Sequence, residues 1–357
     1  MTGTTTQWDS PWLRSQVQHR IDDFLKEQSS TLRNIAVEAD AVSDAITEFL
    51  AGGKRIRGVL AYWGWRAAGH DHGPEIVDVA AAMEFLQACA LIHDDVMDAS
   101  ETRRGKPTVH RVFRGHHETG GWSGPADTFG EATAILLGDL CLTWSDELLL
   151  APDWNVAAYR RGKTIFDLMR TELMIGQYLD ILEQARGTGG LTAALRVADY
   201  KSGKYSVQRP LQLGASFAEG PEALIEGLGH YGSPLGQAFQ LRDDLLGVFG
   251  TPDATGKPAG DDLREGKRTA LIALTESAIT GTDAAFLSSH LGNPDLDAQG
   301  VAELRSLITD SGATLRVEQL IAALLDTSLT ALNAIDMPAD VKAVLGTLAN
   351  SIAYREA

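Results

Sequence analysis

Residues 75–104 read EIVDVAAAMEFLQACALIHDDVMDASETRR, thirty residues without a glycine or a proline. Gly73-Pro74 stands directly before them, and proline is favoured in the first turn of a helix because its missing N–H would be unpaired there anyway. Within the stretch Val79, Met83, Leu86 and Ala90 recur at helical spacing. The reading is one long, core-facing helix. Working outward, similar stretches run from Trp12 to Phe49, Thr164 to Ala185, Leu191 to Tyr205 and Leu235 to Phe249, with Ala/Leu-rich segments at Val301–Ile308 and Val317–Ala334. No alternating run with hairpin signals predicts a sheet, and no fixed-period repeat stands out. Gly- and Pro-rich loops are predicted at 105–130 and 251–268, the lengths at which loops are often functional. The expected fold is all-α, roughly ten helices or more in one domain over residues 11–357, preceded by a flexible segment at 1–10.

Composition narrows the function. Of 357 residues, 31 are Lys or Arg and 48 are Asp or Glu, a formal net charge of −17. That balance argues against a nucleic-acid binder, which needs surplus cations to displace counterions, and against a polybasic membrane anchor. A hydrophobic share of 44 % supports a large core. Cys89 and Cys141 cannot build a disulfide framework and fit a reducing cytoplasm. No signal peptide is read at the N-terminus, and no uninterrupted apolar run approaches the ~18 residues of a membrane span.

Two acidic clusters interrupt apolar helices. In Asp94-Asp95-Val96-Met97-Asp98, Asp94 and Asp98 lie one turn apart on one face. The second cluster is Asp243-Asp244 within QLRDDLLG, residues 240–247. Like charges so placed call for a positive partner. Carboxylates without nearby Cys or paired His point to Mg²⁺ rather than zinc. His93 alone reads as a structural residue rather than a ligand. His70, His72, His116 and His117 sit in or beside polar, Gly-containing stretches and are expected to face solvent.

The cations are placed unevenly. Of nine lysines, Lys54, Lys106, Lys163, Lys257 and Lys267 directly follow a glycine, and Lys201 and Lys204 flank Gly203. Gly-Lys loops offer both backbone N–H and ammonium groups to an anion. Gly52-Gly53-Lys54-Arg55-Ile56-Arg57 enters a helix, and Arg103-Arg104-Gly105-Lys106 follows the first acidic cluster; arginine grips phosphate oxygens bidentately. Acidic metal-type clusters, basic loops and apolar helices together suit a substrate with a diphosphate head and an apolar tail. Neither a Walker A loop nor a Rossmann fingerprint is present.

These segments resemble the polyprenyl synthetase family of trans-isoprenyl diphosphate synthases. The resemblance is carried by GGKRIR at 52–57, LIHDDVMD at 91–98, RRGKPTVH at 103–110, KSGKY at 201–205, FQLRDD at 239–244 and GKPAGDDLREGKRT at 256–269. It implies an all-α bundle around a central cavity, usually a homodimer. The reaction it implies is the head-to-tail condensation of isopentenyl diphosphate onto an allylic diphosphate. It further implies that Lys54, Arg57, Gln87 and Arg104 bind isopentenyl diphosphate. Arg103, Lys201, Ser202, Gln240, Lys257 and Lys267 would bind the allylic diphosphate. Asp94, Asp98 and Asp243 would be the principal Mg²⁺ ligands, with Asp95 and Asp244 supporting, and Lys201 joins them among the catalytic residues. Two positions depart from the family pattern: Gly247 replaces the last Asp of the second motif, and Ser202 stands where the family has Thr.

On this reading three Mg²⁺ ions and the lysines neutralise the leaving diphosphate, so that the allylic C–O bond ionises. The isopentenyl double bond attacks the cation, and the departed diphosphate accepts the proton. Closure of the 251–268 loop would exclude water. One helical turn rises ~5.4 Å, close to one extended isoprene unit, so the tail should run beside the helix upstream of Asp94. The resemblance makes Cys89 and Ala90 the first length-determining level. Leu86 and Phe85 form the next, favouring geranylgeranyl diphosphate (C20) over C15 or over C25 and longer. The rivals are a class I terpene cyclase, against which GGKRIR and RRGKP count, and a non-catalytic subunit of a heteromeric synthase.

Overall fold

Helix α1 (Pro11–Ile35) starts where Ser10 caps it, its hydroxyl accepting the Leu13 N–H at 3.2 Å. It ends at Ala36, whose backbone turns extended. The helix predicted from Trp12 to Phe49 is therefore two helices, the second being α2 (Asp40–Leu50), and Arg33 pairs with Asp40 across the break. The computed structural model describes residues 10–151, 153–187, 189–251 and 260–354. Within them the chain is all-α apart from one two-stranded ribbon. It forms two compact units. Unit 1 takes the residues up to Tyr62 and Asp71–Val156; unit 2 takes Trp63–His70 and the residues from Ala157 on.

Unit 1 is built on α4 (Pro74–Met97), the helix predicted from the opening stretch; it stops seven residues short of Arg104. By length and mean hydropathy it could pass for a membrane span, although Asp78 and Glu84 interrupt its apolar run. However, 72 % of its most apolar 18 residues lie inside the folded chain, as a core helix requires. Phe85 forms edge-to-face contacts with Phe24 of α1 and with Trp144 of α6 (Ala126–Leu150), centroids 5.3 and 6.0 Å away. Helix α3 (Ile56–Ala67) approaches α4 closely because Gly58 faces Ala80. The loop predicted over 105–130 in fact holds α5 (Val109–Gly120), which packs on α6 where Gly130 admits the backbone of His110. His117 is correspondingly buried, its ring against Trp122 and Phe129, contrary to the expectation that it faces solvent.

Unit 2 is built on α10 (Glu222–Phe249), which runs through Pro234. On it pack α9 (Arg209–Phe217) and a π-helix at Ala198–Gln208, and unit 2 also contains α7 (Val156–Arg186) and α8 (Leu191–Val197). The single helix predicted from Leu191 to Tyr205 thus changes type at Ala198, with wider turns that frequently mark functional sites. Gly162-Lys163, taken as a loop pair, lies inside α7, where Gly162 makes room for the Phe217 ring. Downstream come α11 (Asp261–Glu265), α12 (Ala270–Ala278), α13 (Thr282–His290), α14 (Ala298–Asp310), α15 (Ala313–Ala334) and α16 (Ala339–Ala353). Buried hydrogen bonds tie α10 to the last two: Tyr231 donates to Leu345 O at 2.8 Å, and Ser328 donates to Tyr231 O at 2.9 Å.

Candidate active site

In unit 1, α4 delivers Asp94 in its last turn and Asp98 at its C-cap. Both carboxylates stand at the negative end of the helix dipole, an unfavourable place for an anion unless positive charge is supplied. The helix closes with a two-bond Schellman cap in which Ala99 N–H donates to Val96 O and Ser100 N–H to Asp95 O. Ala99 takes the left-handed conformation usually left to glycine (φ 51°). The reversed chain then forms the ribbon β1 (Thr102–Arg103) and β2 (Lys106–Pro107). Its two-residue turn has positive φ at both Arg104 (54°) and Gly105 (74°), as a type I′ hairpin demands. Arginine in that conformation is strained, and such strain concentrates at functional sites.

This turn separates two neighbouring arginines. Arg103 forks onto Asp95, with Nε–Oδ2 at 2.8 Å and Nη2–Oδ1 at 2.6 Å, and lies 3.7 Å from Asp94. Burial works against its charge, but the bonds to Asp95 and the charges of Asp95, Asp94 and Asp98 outweigh it and raise its pKa. Asp95 is buried and faces this guanidinium. Arg104 lies on the other side, 3.7 Å from where a Cβ on Gly53 would stand, so the GGKRIR loop and the ribbon meet. Burial, followed by the charges of Arg103 and Arg55, lowers its pKa. A crowded cation of this kind is relieved by a bound anion. Lys54 is exposed, Arg57 lies in the first turn of α3, and Gln87 of α4 has its Oε1 buried without a hydrogen-bond partner.

The remaining residues of α4 divide by face. Ala90 is partly exposed and precedes Asp94 by one turn. Cys89 is buried beside His93, and burial, with Asp139 adding, pushes its thiol up to about 12. His93 Nε2 meets Ile135 O at 3.0 Å, over Gly138, which leaves space for the ring. Leu86 is buried, as is Phe85 within its aromatic cluster.

In unit 2, the π-helix carries Lys201 and Ser202. Its backbone presses on Gly176 of α7 and Gly236 of α10, where any Cβ would overlap the main chain. Lys201 Nζ binds Asp180 Oδ2 at 2.6 Å. On α10, Gln240 donates to Asp244 Oδ1 at 2.7 Å, Asp244 is buried, and Asp243 is partly exposed. Burial foremost, then the charges of Asp262 and Asp180, raise Asp244 to about 7 against the pull of Gln240 and Lys267. Arg242 grips Glu318 and the Ala353 carbonyl and fixes this end of α10. Lys267 pairs with Glu265 at 2.6 Å and Asp262 at 3.3 Å. Lys257, and with it residues 252–259 of the proposed closing loop, lies outside the described residues.

Sequence reading missed Asp180 and Asp262. Asp180 had a signal: it falls in the buried register of α7, after Phe166, Met169, Leu173 and Gly176, where a charge demands a partner. Among the described residues no three His, Cys, Asp or Glu side chains converge on a single metal position. The oxygen-only donors Asp94, Asp98 and Asp243 still fit magnesium, which is held by one or two carboxylates together with water and substrate phosphate.

The Polyprenyl synthetase family model matches residues 39–308. A geranylgeranyl diphosphate synthase of Mycobacterium tuberculosis is 32 % identical over 294 residues, covering 80 % of this chain and 78 % of the relative. A geranylfarnesyl diphosphate synthase of Aeropyrum pernix is 29 % identical over 303 residues, covering 83 % and 85 %. Among solved structures, geranylgeranyl pyrophosphate synthase from Corynebacterium glutamicum, complexed with isoprenyl diphosphate and magnesium, superposes with a TM-score of 0.93. It is 39 % identical and covers 96 % of this chain and 99 % of its own. The chain belongs to the polyprenyl synthetase family. It is a trans-prenyltransferase.

Proposed function

We propose that the chain condenses isopentenyl diphosphate with an allylic diphosphate and releases geranylgeranyl diphosphate. The carrying observation is the division of labour between Arg103 and Arg104. One is locked to the Asp95 side of the metal-type cluster, and the other is turned by a strained hairpin toward the GGKRIR loop. Two diphosphates need two such cationic settings; a cyclase, with one diphosphate, does not.

Lys54, Arg57, Gln87 and Arg104 hold isopentenyl diphosphate by its head. Arg103, Lys201, Ser202, Gln240, Lys257 and Lys267 hold the allylic diphosphate. Asp94, Asp98 and Asp243 would hold magnesium, with Asp95 and Asp244 supporting; bound magnesium would supply charge neutralisation of the leaving diphosphate. Lys201 and Lys267 carry the same burden as point charges, each paired with a carboxylate, Asp180 or Glu265. The allylic C–O bond breaks, the isopentenyl double bond forms the new C–C bond, and a proton leaves to an oxygen of the departed diphosphate.

For the C20 product the support is Ala90, small and partly exposed one turn before Asp94, together with the named activity of the Corynebacterium relative. Exposed apolar side chains on α6 (Ile135, Leu136) and, separately, on α7 (Met174, Ile175, Tyr178) support assembly as a homodimer. Both cysteines are buried free thiols, in keeping with a cytoplasmic enzyme. The deciding assay supplies Mg²⁺, labelled isopentenyl diphosphate and each allylic diphosphate in turn, then sizes the products. C20 supports the reading, another length corrects the product alone, hydrocarbon without label shows a cyclase, and no turnover overturns the enzyme reading.

A further inference from the structure

Arg55 is the one cation of GGKRIR that the proposed site leaves without a role. Its side chain is 5 % exposed. Nη1 donates to Glu84 Oε2 of α4 at 2.8 Å, and Nη2 donates to Gln18 Oε1 of α1 at 2.6 Å and to the Leu50 carbonyl at the end of α2 at 2.8 Å. One guanidinium therefore ties three helices of unit 1 to the loop. A lysine has no planar fork with which to serve three fixed acceptors. The backbone of Arg55 is equally constrained: it takes a left-handed φ of 53°, and its carbonyl accepts the Val59 N–H at 2.9 Å, opening α3. Lys54, directly before it, and Arg57, two residues after it, are those proposed to grip isopentenyl diphosphate. Glu84 lies one turn before Gln87 on α4, and its charge also supports Arg104.

We propose that Arg55 and Glu84 are positioning residues for the isopentenyl diphosphate half of the site. Neither touches the substrate. Together they bolt the GGKRIR loop to α4 so that Lys54 and Arg57 face the same diphosphate as Gln87 and Arg104. This inference rests on the reaction proposed above, yet it is separable from it, because it concerns one of the two substrates only. A merely structural ion pair, once weakened, would lower the folded fraction, and with it the apparent kcat, and leave both KM values unchanged.

The test is Arg55→Lys, which keeps the charge and loses the fork, assayed beside wild type with each substrate varied in turn. The expected result is a KM for isopentenyl diphosphate raised about tenfold, the effect of losing one or two charge-assisted hydrogen bonds. The allylic KM and kcat should stay within about twofold. Calorimetric binding of isopentenyl diphosphate alone should weaken by the same factor. Glu84→Gln, which keeps an acceptor but not the charge, should show a smaller rise in the same constant. Two KM values rising together, or an unchanged isopentenyl KM in folded protein, overturns the proposal. If Arg55→Lys does not fold, Gln18→Leu takes its place: a selective rise of a few fold supports the proposal, and no selective rise overturns it. Wild-type protein without turnover would overturn the reaction, and calorimetric binding of isopentenyl diphosphate would still decide the role of Arg55.

Discussion

Asp262 occupies the space that a side chain at Gly247 would need: its Oδ2 stands where the Cβ would be. The position at which the family pattern has a third aspartate is thus already filled by a carboxylate from α11, which Lys267 holds at 3.3 Å. Gly247→Asp, which restores the family sequence, should therefore not improve the enzyme. It would force two carboxylates into one place and pull Asp262 from Lys267. The expected cost is about 1–3 kcal/mol of stability, typical of overpacking, with a higher Mg²⁺ requirement. Melting curves and a Mg²⁺ titration of rate check both. A variant that matches wild type in both would show that Asp262 moves aside freely.

Asp94 lies at the negative end of α4, 3.7 Å from Arg103. Asp94→Ala should leave the protein folded and relieve dipole repulsion, while turnover falls at least about a thousandfold, the scale of losing a main electrostatic stabiliser of the transition state. Circular dichroism and product formation, measured on the same sample, give the two halves of the test. Chelation of wild type should mimic the loss and be reversed by added Mg²⁺. Activity near wild type would remove Asp94 from the metal assignment.

Two adjacent small residues upstream of Asp94 should answer differently to the same substitution. Ala90 is partly exposed on the Asp94 face, whereas Cys89 is buried against His93. Ala90→Phe should shorten the product by at least one isoprene unit with little loss of stability. Cys89→Phe should instead cost about 1–3 kcal/mol through overpacking. Chromatographic sizing of the products and thermal melts separate them. An unchanged product from Ala90→Phe would place the growing tail elsewhere.

The fold class was legible because α4 and α10 carry their apolar residues at helical spacing, and the acidic clusters were legible because they break that spacing. Other features were hidden for physical reasons. Helix α5 lies in a stretch whose glycines read as loop, yet Gly115 and Gly120 sit inside the helix and Gly130 is the notch that receives it. The π-helix has no composition of its own; it follows from glycines distant in sequence, Gly176 and Gly236, which let its backbone come close. Asp262 was invisible because substitution at one position, Gly247, and compensation at another are linked only in space. The partition of Arg103 from Arg104 depends on a turn type that the sequence RRGK permits but does not dictate.

Stability should fall in acid through Glu172. Its carboxylate takes Arg209 at 2.7 Å and Lys204 at 3.2 Å with its side chain 11 % exposed. Burial alone would raise its pKa, but the bonds and charges of Arg209 and Lys204 prevail and hold it below the ordinary 4.5. A depressed carboxylate stabilises the fold above its unfolded pKa and loses that contribution as pH falls through the folded value. Glu172→Gln should therefore cost about 1–2 kcal/mol at neutral pH, where it takes the charge partner from two part-buried cations, and the gap from wild type should narrow below pH 4.5. Denaturation at several pH values measures it. A gap independent of pH would assign the effect to packing.

The outward face of α7 presents Leu168, Met174, Ile175, Tyr178 and Ile181 at helical spacing, each at least 41 % exposed. The opposite face of the same helix carries Gly176 and Asp180 against the π-helix and Lys201. An apolar stripe of this size is unusual on a free surface and is what a symmetric contact between two copies buries. Ile175→Lys places a charge in the middle of the stripe and leaves the Lys201 face untouched. If α7 is the contact, dissociation should become easier by at least about a hundredfold, from the cost of burying an unpaired charge. Sedimentation or light scattering across a dilution series would then show wild type at twice the chain mass and the variant at the chain mass. Wild type that runs as a single chain at micromolar concentration would remove the dimer, and a variant that remains dimeric would move the contact to another face.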